Sequence, residues 1–181
     1  MSKKICPECG FEQESQGFEL ILKNVPKELF EGIKIRGARN VQRFLICSPF
    51  LTKFGNEEWY QLIKTIGQNE NSIIQIITLP PENSFRINNT LQHKELIELY
   101  ENECNAEIYY HKDLHAKIYV ASVDEISFAI IGSANFTKGA SGNQEAAILV
   151  TDLDYVNSIE VGYNTILQSS IEKSVWENSR K

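Results

Sequence analysis

The chain has no long run of apolar residues. No segment approaches the length that a helix needs to span a bilayer. The start Met-Ser-Lys-Lys is followed by Ile-Cys-Pro-Glu-Cys-Gly, not by the apolar core of a signal peptide. Internal repeats and low-complexity linkers are also missing. We therefore expect a cytoplasmic protein with no membrane contact, whose 181 residues suffice for a full hydrophobic core.

Cysteine is scarce, with four in the chain and no secretory signal to favour a disulfide framework. Cys6 and Cys9 form a Cys-x-x-Cys turn with the spacing of half a zinc ribbon, but no second such turn follows. We favour a cysteine pair without metal. The alternative is a structural zinc, completed in part by a second copy of the chain.

Positive charge is in deficit, because 18 Lys and Arg residues face 24 Asp and Glu residues, for a net charge of −6. This balance argues against a protein coated with nucleic acid, but a local basic groove is compatible with it. The densest basic segment carries Lys34, Arg36, Arg39 and Arg43. It is either a solvated face or a substrate-binding grip on a phosphate backbone, and the sequence favours neither interpretation.

Apolar strands and amphipathic helices alternate along most of the chain. This order predicts an α/β fold with a mixed, largely parallel β-sheet sandwiched by helices. We divide the chain into an N-terminal extension, 1–23, and a main domain, 24–181. The predicted strands cover 41–51, 72–79, 106–110, 114–123, 126–132 and 144–150, and the predicted helices cover 26–35, 56–66, 89–103 and 156–167.

The most informative stretch is His115-Ala116-Lys117, which continues into an apolar strand. Since side chains alternate along a strand, His115 and Lys117 share one face. Tyr119 shares that face too, and it either lines a substrate groove or packs in the core. The next strand ends in Gly132-Ser133-Ala134-Asn135, where glycine allows a tight turn and close approach of a ligand. The two strand ends are therefore expected to meet.

The motifs H-x-K and G-S-x-N, followed by Glu145 on the next strand, resemble the signature of the phospholipase D superfamily. The resemblance covers roughly residues 40 to 165. It implies the fold of that superfamily and a phosphodiesterase site built from a histidine, a lysine, a serine, an asparagine and a glutamate. The implied catalytic residues are His115, Lys117, Ser133, Asn135 and Glu145.

Two nearby patterns are not assigned to the site. The superfamily often has an aspartate four residues after the lysine, but here Asp124 comes only after a longer gap. The tripeptide His111-Lys112-Asp113 contains the right residue types in the wrong spacing. Consecutive residues of a strand point to opposite faces, so its histidine and lysine cannot converge on one phosphate.

The residue types suit cleavage of a phosphodiester. Lys117 supplies a positive charge and Asn135 and Ser133 supply donors to the charge that develops on phosphorus oxygens, so no divalent metal or other cofactor is required. His115 can attack phosphorus and form a phosphohistidine, while a second histidine protonates the leaving oxygen. With one motif per chain, the resemblance implies a homodimer that shares its two histidines. Glu145 is expected to hydrogen-bond the far nitrogen of the imidazole.

The resemblance defines the chemistry better than the substrate. Small single-motif members are mostly nucleases, including some restriction endonucleases, which favours cleavage of DNA or RNA. The alternatives are a phospholipid phosphodiesterase or phosphatidyltransferase, and a non-catalytic nucleic-acid-binding module of a larger complex. Because no separate DNA-reading domain is recognisable, we expect low sequence specificity or a partner protein that recognises the target.

Overall fold

The computed structural model describes residues 3–5, 12–14, 17–52, 57–83, 87–137 and 144–180. Its strands, in chain order, are β1 (Lys3–Ile5), β2 (Glu12–Glu14), β3 (Phe18–Lys23), β4 (Val41–Cys47), β5 (Ile73–Thr78), β6 (Ala106–Tyr110), β7 (Ile118–Val123), β8 (Ile126–Gly132), β9 (Gln144–Val150) and β10 (Ile171–Glu172). Its helices are α1 (Val25–Arg36), α2 (Glu57–Gly67), α3 (Ile87–Cys104), α4 (Leu153–Gln168) and α5 (Lys173–Asn178).

Eight strands form one mixed sheet in the order β10-β6-β5-β4-β7-β8-β9-β3. The pairs β4–β5 and β5–β6 are parallel, and the other five neighbouring pairs are antiparallel. The sheet is therefore mixed, as predicted, but the prediction of a largely parallel sheet is wrong. Two neighbouring pairs, β4–β5 and β5–β6, are connected by the helices α2 and α3 and are parallel. β7 and β8 are joined by a tight turn, which forces antiparallel pairing.

Helices cover both faces of the sheet, which confirms the predicted sandwich. The side chains of β4 alternate, so that Phe44 points to one apolar cluster and Leu45 to another. The first cluster includes Leu29 of α1 and Ile63 of α2, together with residues of α3. On the opposite face, α4 contributes Tyr163. In the described ranges, no helix is both long enough and apolar enough to cross a bilayer.

The main sheet begins earlier in the chain than predicted. β3 pairs with β9 and forms an outer strand of the sheet, although its six residues were assigned to the extension 1–23. The apolar run from Phe18 to Leu22 is compatible by its pattern with a helix or a strand, and only its long-range pairing distinguishes the two. Cys6 and Cys9 lie outside the described residues, so the zinc question stays a prediction.

One edge of the sheet collects the loops that the sequence singles out. Cys47 at the end of β4 pairs with Ile118 at the start of β7, and Ile118 pairs with Ile131 near the end of β8. The segment 111–117 connects β6 to β7 past the ends of β5 and β4. This is the edge where the parallel strands end, which is the usual position of a ligand site in such sheets. We call it the site edge.

A buried histidine of α3 ties two loops together at the site edge. The backbone N–H of Leu51 donates to His93 Nδ1 at 3.1 Å, and His93 Nε2 lies 3.0 Å from the carbonyl oxygen of Leu79. Burial lowers the pKa of His93, whose residue surface is 1% exposed. The neutral ring can accept from Leu51 and donate to Leu79, so both nitrogens are satisfied.

This histidine predicts a pH dependence of stability. In the unfolded chain His93 binds a proton near pH 6.5, whereas its lowered pKa leaves it neutral in the folded chain. The unfolded state then holds more protons, so the free energy of unfolding falls as the pH drops below about 6.5, by at most about 1.4 kcal/mol per pH unit. Urea titrations of wild type and His93→Gln from about pH 7.5 to about pH 5.5 measure this loss. The variant should lose less; an equal loss in both proteins contradicts the assignment.

Candidate active site

A backbone hydrogen bond links the H-x-K motif to the G-S-x-N motif. β7 begins at Ile118, so His115 and Lys117 lie in the segment just before the strand. The N–H of Gly132 donates to the carbonyl oxygen of Lys117 at 3.3 Å, which brings the end of β8 next to this segment. The Lys117 ammonium donates to the carbonyl oxygen of His115 at 2.6 Å. Leu114 is buried and His115 is exposed. The predicted strand 114–123 begins four residues later than expected, so His115 and Lys117 share a connecting segment and not a strand face.

β8 and β9 approach each other closely at Gly132. A Cβ atom added there would lie 2.4 Å from the carbonyl oxygen of Ala146 and 2.6 Å from the Cα of Ala147. Both atoms are backbone and cannot move without shifting the strand. One residue further on, the Ser133 N–H donates to the Ala146 carbonyl oxygen at 2.9 Å. The absence of a side chain at Gly132 is therefore what lets Ser133 reach the start of β9.

Ser133 and Glu145 pair with each other. The Ser133 hydroxyl donates to Glu145 Oε2, and it accepts from the backbone N–H of Ala146 at 3.1 Å. Since a serine hydroxyl has one proton, Ser133 has none left for a phosphate. Within the described part of the chain, no group hydrogen-bonds the His115 ring. The structure therefore differs from two predictions, because Ser133 does not donate to the open site and Glu145 does not hold His115.

Asn135 brings a buried amide with unused hydrogen-bonding capacity. Its Oδ1 atom is buried and has no partner among the described residues. Its backbone carbonyl accepts from the N–H of Thr137 at 2.8 Å, so the chain turns immediately after it. Buried polar atoms are nearly always paired in folded proteins. Oδ1 is an acceptor, and His111 Nδ1 is likewise buried without a partner among the described residues, so this edge has polar capacity that the described chain leaves unused. The Nδ2 group of the same carboxamide is the one that can donate to a phosphate oxygen.

The prediction that Tyr119 lines a substrate groove is wrong. It is 1% exposed and its ring packs 5.6 Å from that of Phe136, centroid to centroid. Its hydroxyl donates to the carbonyl oxygen of Ala134 at 2.5 Å. The alternative interpretation, core packing, is confirmed. The reason is that Tyr119 lies within β7, where helices cover the sheet, whereas His115 lies in the segment before the strand.

The predicted basic grip lies at the other end of the strands. Within one chain, the structure does not bring Lys34, Arg36, Arg39 or Arg43 to the site edge. Val41, at the start of β4, pairs with Val123, at the far end of β7 from Lys117. At a rise of about 3.3 Å per residue, the two ends of β7 are roughly 17 Å apart.

The basic side chains are also engaged where they lie. Arg43 forms an ion pair with Glu160 of α4, and the Arg36 guanidinium lies 5.4 Å from the centroid of the Phe128 ring. Next to Arg39, the side chain of Asn40 donates to Asp124 at 3.1 Å, in the turn between β7 and β8. Asp124 thus lies at the far end, consistent with leaving it out of the site. Charge density along a sequence does not reveal which end of a sheet it occupies.

Ser48 directly follows β4 and is a residue that the sequence motifs do not single out. Ser48 is 0% exposed. Its hydroxyl accepts from the N–H of Phe136 at 2.9 Å and donates to the carbonyl oxygen of Phe50 at 2.8 Å. A serine closing an apolar central strand has to find partners for its hydroxyl, and that is the signal that could have drawn attention to it.

Comparison with known proteins gives one family match and several similar folds. The family model described as "Cardiolipin synthase, PLD-like domain" matches residues 33–167. NucT from Helicobacter pylori is 20% identical with a TM-score of 0.56, and the match covers 86% of this chain and 99% of that chain. Nuc from Salmonella typhimurium, a phospholipase D family member, is 13% identical with a TM-score of 0.55, covering 86% and 97%.

A longer protein has a similar fold. Phosphatidylserine synthase from Haemophilus influenzae Rd KW20 is 16% identical with a TM-score of 0.57, and the match covers 91% of this chain and 43% of that chain. No curated protein sequence matches the chain. At these identities, the likeness to the solved structures concerns the fold.

The close contact at Gly132 predicts a local sensitivity to added volume. Gly132→Ala should lower the free energy of unfolding by about 1–3 kcal/mol, because the new methyl group overlaps the backbone of β9. Gly162→Ala is the matched control, since an added Cβ on this exposed helical residue meets nothing within 4 Å. That variant should be neutral or slightly stabilising. Chemical denaturation measures both, and equal effects at the two positions would contradict the packing argument.

Proposed function

Because the chain belongs to the phospholipase D superfamily, with a family match over residues 33–167, we propose that it is a metal-independent phosphodiesterase that cleaves nucleic acid. The observation that carries the proposal is the backbone contact between Lys117 and Gly132. It joins the segment bearing His115 to the segment bearing Asn135. An imidazole, an ammonium group and a carboxamide thereby belong to adjacent segments of one sheet edge.

In the first step, a neutral ring nitrogen of His115 attacks phosphorus. A nitrogen–phosphorus bond forms, the bond to the leaving oxygen breaks, and that oxygen takes a proton from a general acid. Lys117 and Asn135 stabilise the negative charge that builds up on the phosphoryl oxygens. His115 is exposed, so a phosphate can reach its ring.

In the second step, water attacks the phosphohistidine. The group that protonated the leaving oxygen now removes a proton from the water, and the nitrogen–phosphorus bond breaks to regenerate the imidazole. We propose that this acid and base is His115 of the partner subunit in a two-fold homodimer. Support comes from the sequence, in which only one of the three histidines carries the H-x-K spacing.

Ser133 and Glu145 have a supporting part in this proposal. The carboxylate of Glu145 accepts the Ser133 hydroxyl proton, and the pair joins the end of β8 to the start of β9. We infer that the pair fixes the turn that leads to Asn135. Charge stabilisation then depends on Lys117 and Asn135.

The size of the match supports a nucleic acid over a lipid as substrate. The chain covers 99% and 97% of NucT and Nuc, but 43% of the phosphatidylserine synthase. It therefore corresponds to the small single-motif members of the superfamily, which the sequence resemblance associates with nucleases. We propose DNA or RNA as the substrate, with a partner protein supplying any target recognition.

A lipid substrate is the second candidate, and one surface feature favours it. Phe18, Leu20 and Leu22 alternate along the outer strand β3 and are 43%, 65% and 58% exposed. The description of the matching family also names a lipid synthase. Release of headgroup from labelled phospholipid vesicles, with nucleic acids left intact, would replace the nucleic-acid proposal with this one.

The catalytic proposal predicts the following activities. Wild type should cleave plasmid DNA, single-stranded DNA or RNA in EDTA, and His115→Ala should abolish cleavage. Lys117→Ala and Asn135→Ala should each lower kcat by about 10²–10³, or about 2.7–4 kcal/mol, by analogy with the loss of one oxyanion donor. Lys112→Ala is the matched control, because this exposed lysine lies outside the H-x-K spacing.

Two results would contradict this assignment. Cleavage that survives His115→Ala would mean that another group is the nucleophile. Cleavage that EDTA abolishes would mean that a metal ion is needed.

The shared-site proposal predicts dominant inhibition. If both histidines of a dimer are needed, wild type mixed and equilibrated with a nine-fold excess of His115→Ala should show roughly a tenth of its activity per wild-type chain. Nearly all wild-type chains then face an inactive partner. An excess of Lys112→Ala should cause no such loss. Activity per wild-type chain that is unaffected by His115→Ala would contradict the shared site.

A further inference from the structure

Asn135 is held by buried hydrogen bonds on both sides. On its N-terminal side, the Tyr119 hydroxyl donates to the carbonyl oxygen of Ala134 at 2.5 Å. On its C-terminal side, the Ser48 hydroxyl accepts from the N–H of Phe136 at 2.9 Å. Ser48 and Tyr119 belong to the β4 and β7 regions, which pair with each other in the centre of the sheet. Two neighbouring elements therefore grip the residues before and after Asn135.

Packing reinforces this grip. Phe136 is 0% exposed, and its ring lies between those of Phe30 and Tyr119, with centroids 5.8 Å and 5.6 Å away. Its carbonyl oxygen also accepts from the N–H of Thr52 at 3.3 Å. The residue after Asn135 is thus fixed by its ring and by both of its backbone polar groups. Little freedom remains for the backbone of Asn135.

The hydroxyl of Tyr119 keeps its proton and can donate a hydrogen bond to the Ala134 carbonyl oxygen. Burial raises the pKa of the Tyr119 hydroxyl above its ordinary value, so it is protonated at neutral pH. Ala134 is itself 1% exposed, so its carbonyl oxygen depends on this donor for a partner. Without the hydroxyl, the carbonyl oxygen of Ala134 would be buried without a hydrogen bond. Rotation of this peptide group, which precedes Asn135, would relieve that free-energy cost.

A fixed backbone at this point matters for catalysis. Donors that already point at the developing charge need no reorganisation during the reaction, and that is the main source of their effect. Asn135 has no hydrogen bond of its own at Oδ1 among the described residues to hold its side chain. Its orientation therefore depends on the backbone on either side.

We propose that Tyr119 and Ser48 are positioning residues that hold the Asn135 carboxamide in the orientation required for phosphoryl transfer. The proposal rests on the proposed function for its catalytic consequence. It assigns a role to two buried polar residues that do not themselves reach the substrate. The two hydrogen bonds of the Tyr119 and Ser48 hydroxyls to the backbone on either side of Asn135 are a property of the fold. They can be tested separately from the catalytic activity.

The main experiment is a double-mutant cycle on the 181-residue chain. Tyr119→Phe removes one hydroxyl, and we expect kcat to fall by about ten-fold with little change in KM, which is part of the loss expected from removing the donor altogether. Ser48→Ala should act in the same direction. If both act through Asn135, adding either change to Asn135→Ala should cause no further loss of kcat.

The matched control is Tyr163→Phe. Tyr163 is 0% exposed and its hydroxyl donates to the carbonyl oxygen of Gln75 at 3.1 Å, but it belongs to the opposite face of the sheet. This variant should lose similar stability in thermal melts and keep its kcat. Equal losses of kcat in Tyr163→Phe and Tyr119→Phe would overturn the proposal, as would full additivity of Tyr119→Phe with Asn135→Ala.

A spectroscopic readout separates this proposal from the proposed function. The side-chain amide signal of Asn135, identified by its loss in Asn135→Ala, should shift or broaden in ¹H–¹⁵N spectra of Tyr119→Phe and Ser48→Ala but not of Tyr163→Phe. An unchanged signal in both variants overturns the positioning role. If wild type cleaves no phosphodiester, the proposed function fails, while a perturbed amide signal still supports the grip.

Discussion

The contact between β8 and β9 at Gly132 is the constraint on which the site depends. With no side chain at this position, the backbone of β9 can approach, and Ser133 reaches both Ala146 and Glu145. The same glycine donates its N–H to Lys117. Gly132 therefore connects the end of β8 to the start of β9 and to the segment that precedes β7. The register of these strands sets the relative positions of the side chains of the site.

The site at this edge contains few polar side chains, and their contacts differ. Lys117 brings a positive charge to a chain whose net charge is −6, so attraction of an anion is local to the site. Ser133 and Glu145 satisfy each other, and Tyr119 and Ser48 satisfy the backbone around Asn135. Exposed His115 is left available for a ligand, and the buried Oδ1 atom of Asn135 has no partner among the described residues.

Much of the fold could be predicted from the sequence because its signals are local. The buried character of β4 and the bounds of β6, β8 and β9 follow from apolar pattern and turn residues. Superfamily membership followed from two short motifs and their spacing. Long-range pairing was not accessible in the same way, so the edge strand β3 and the mostly antiparallel sheet became evident only in three dimensions.

The site was predictable in its residue types but not in its contacts. Spacing indicated that His115, Lys117 and Asn135 share an edge, yet the partner of Glu145 depends on how β8 and β9 are aligned. The basic segment of α1 and β4 was compatible with a phosphate-binding site and with a solvated face, because a linear sequence does not show that the segment lies at the opposite end of the strands.

The central claim is that His115 becomes covalently bonded to phosphorus. Rapid quenching of wild type with a nucleic-acid substrate, followed by mass spectrometry of the digested protein at neutral to basic pH, tests it directly. The account predicts an acid-labile adduct on the peptide containing His115, in which phosphorus still carries the part of the substrate that was not released. This adduct should be absent from His115→Ala. Substrate turnover with no adduct on that peptide, or with an adduct on another residue, would contradict it.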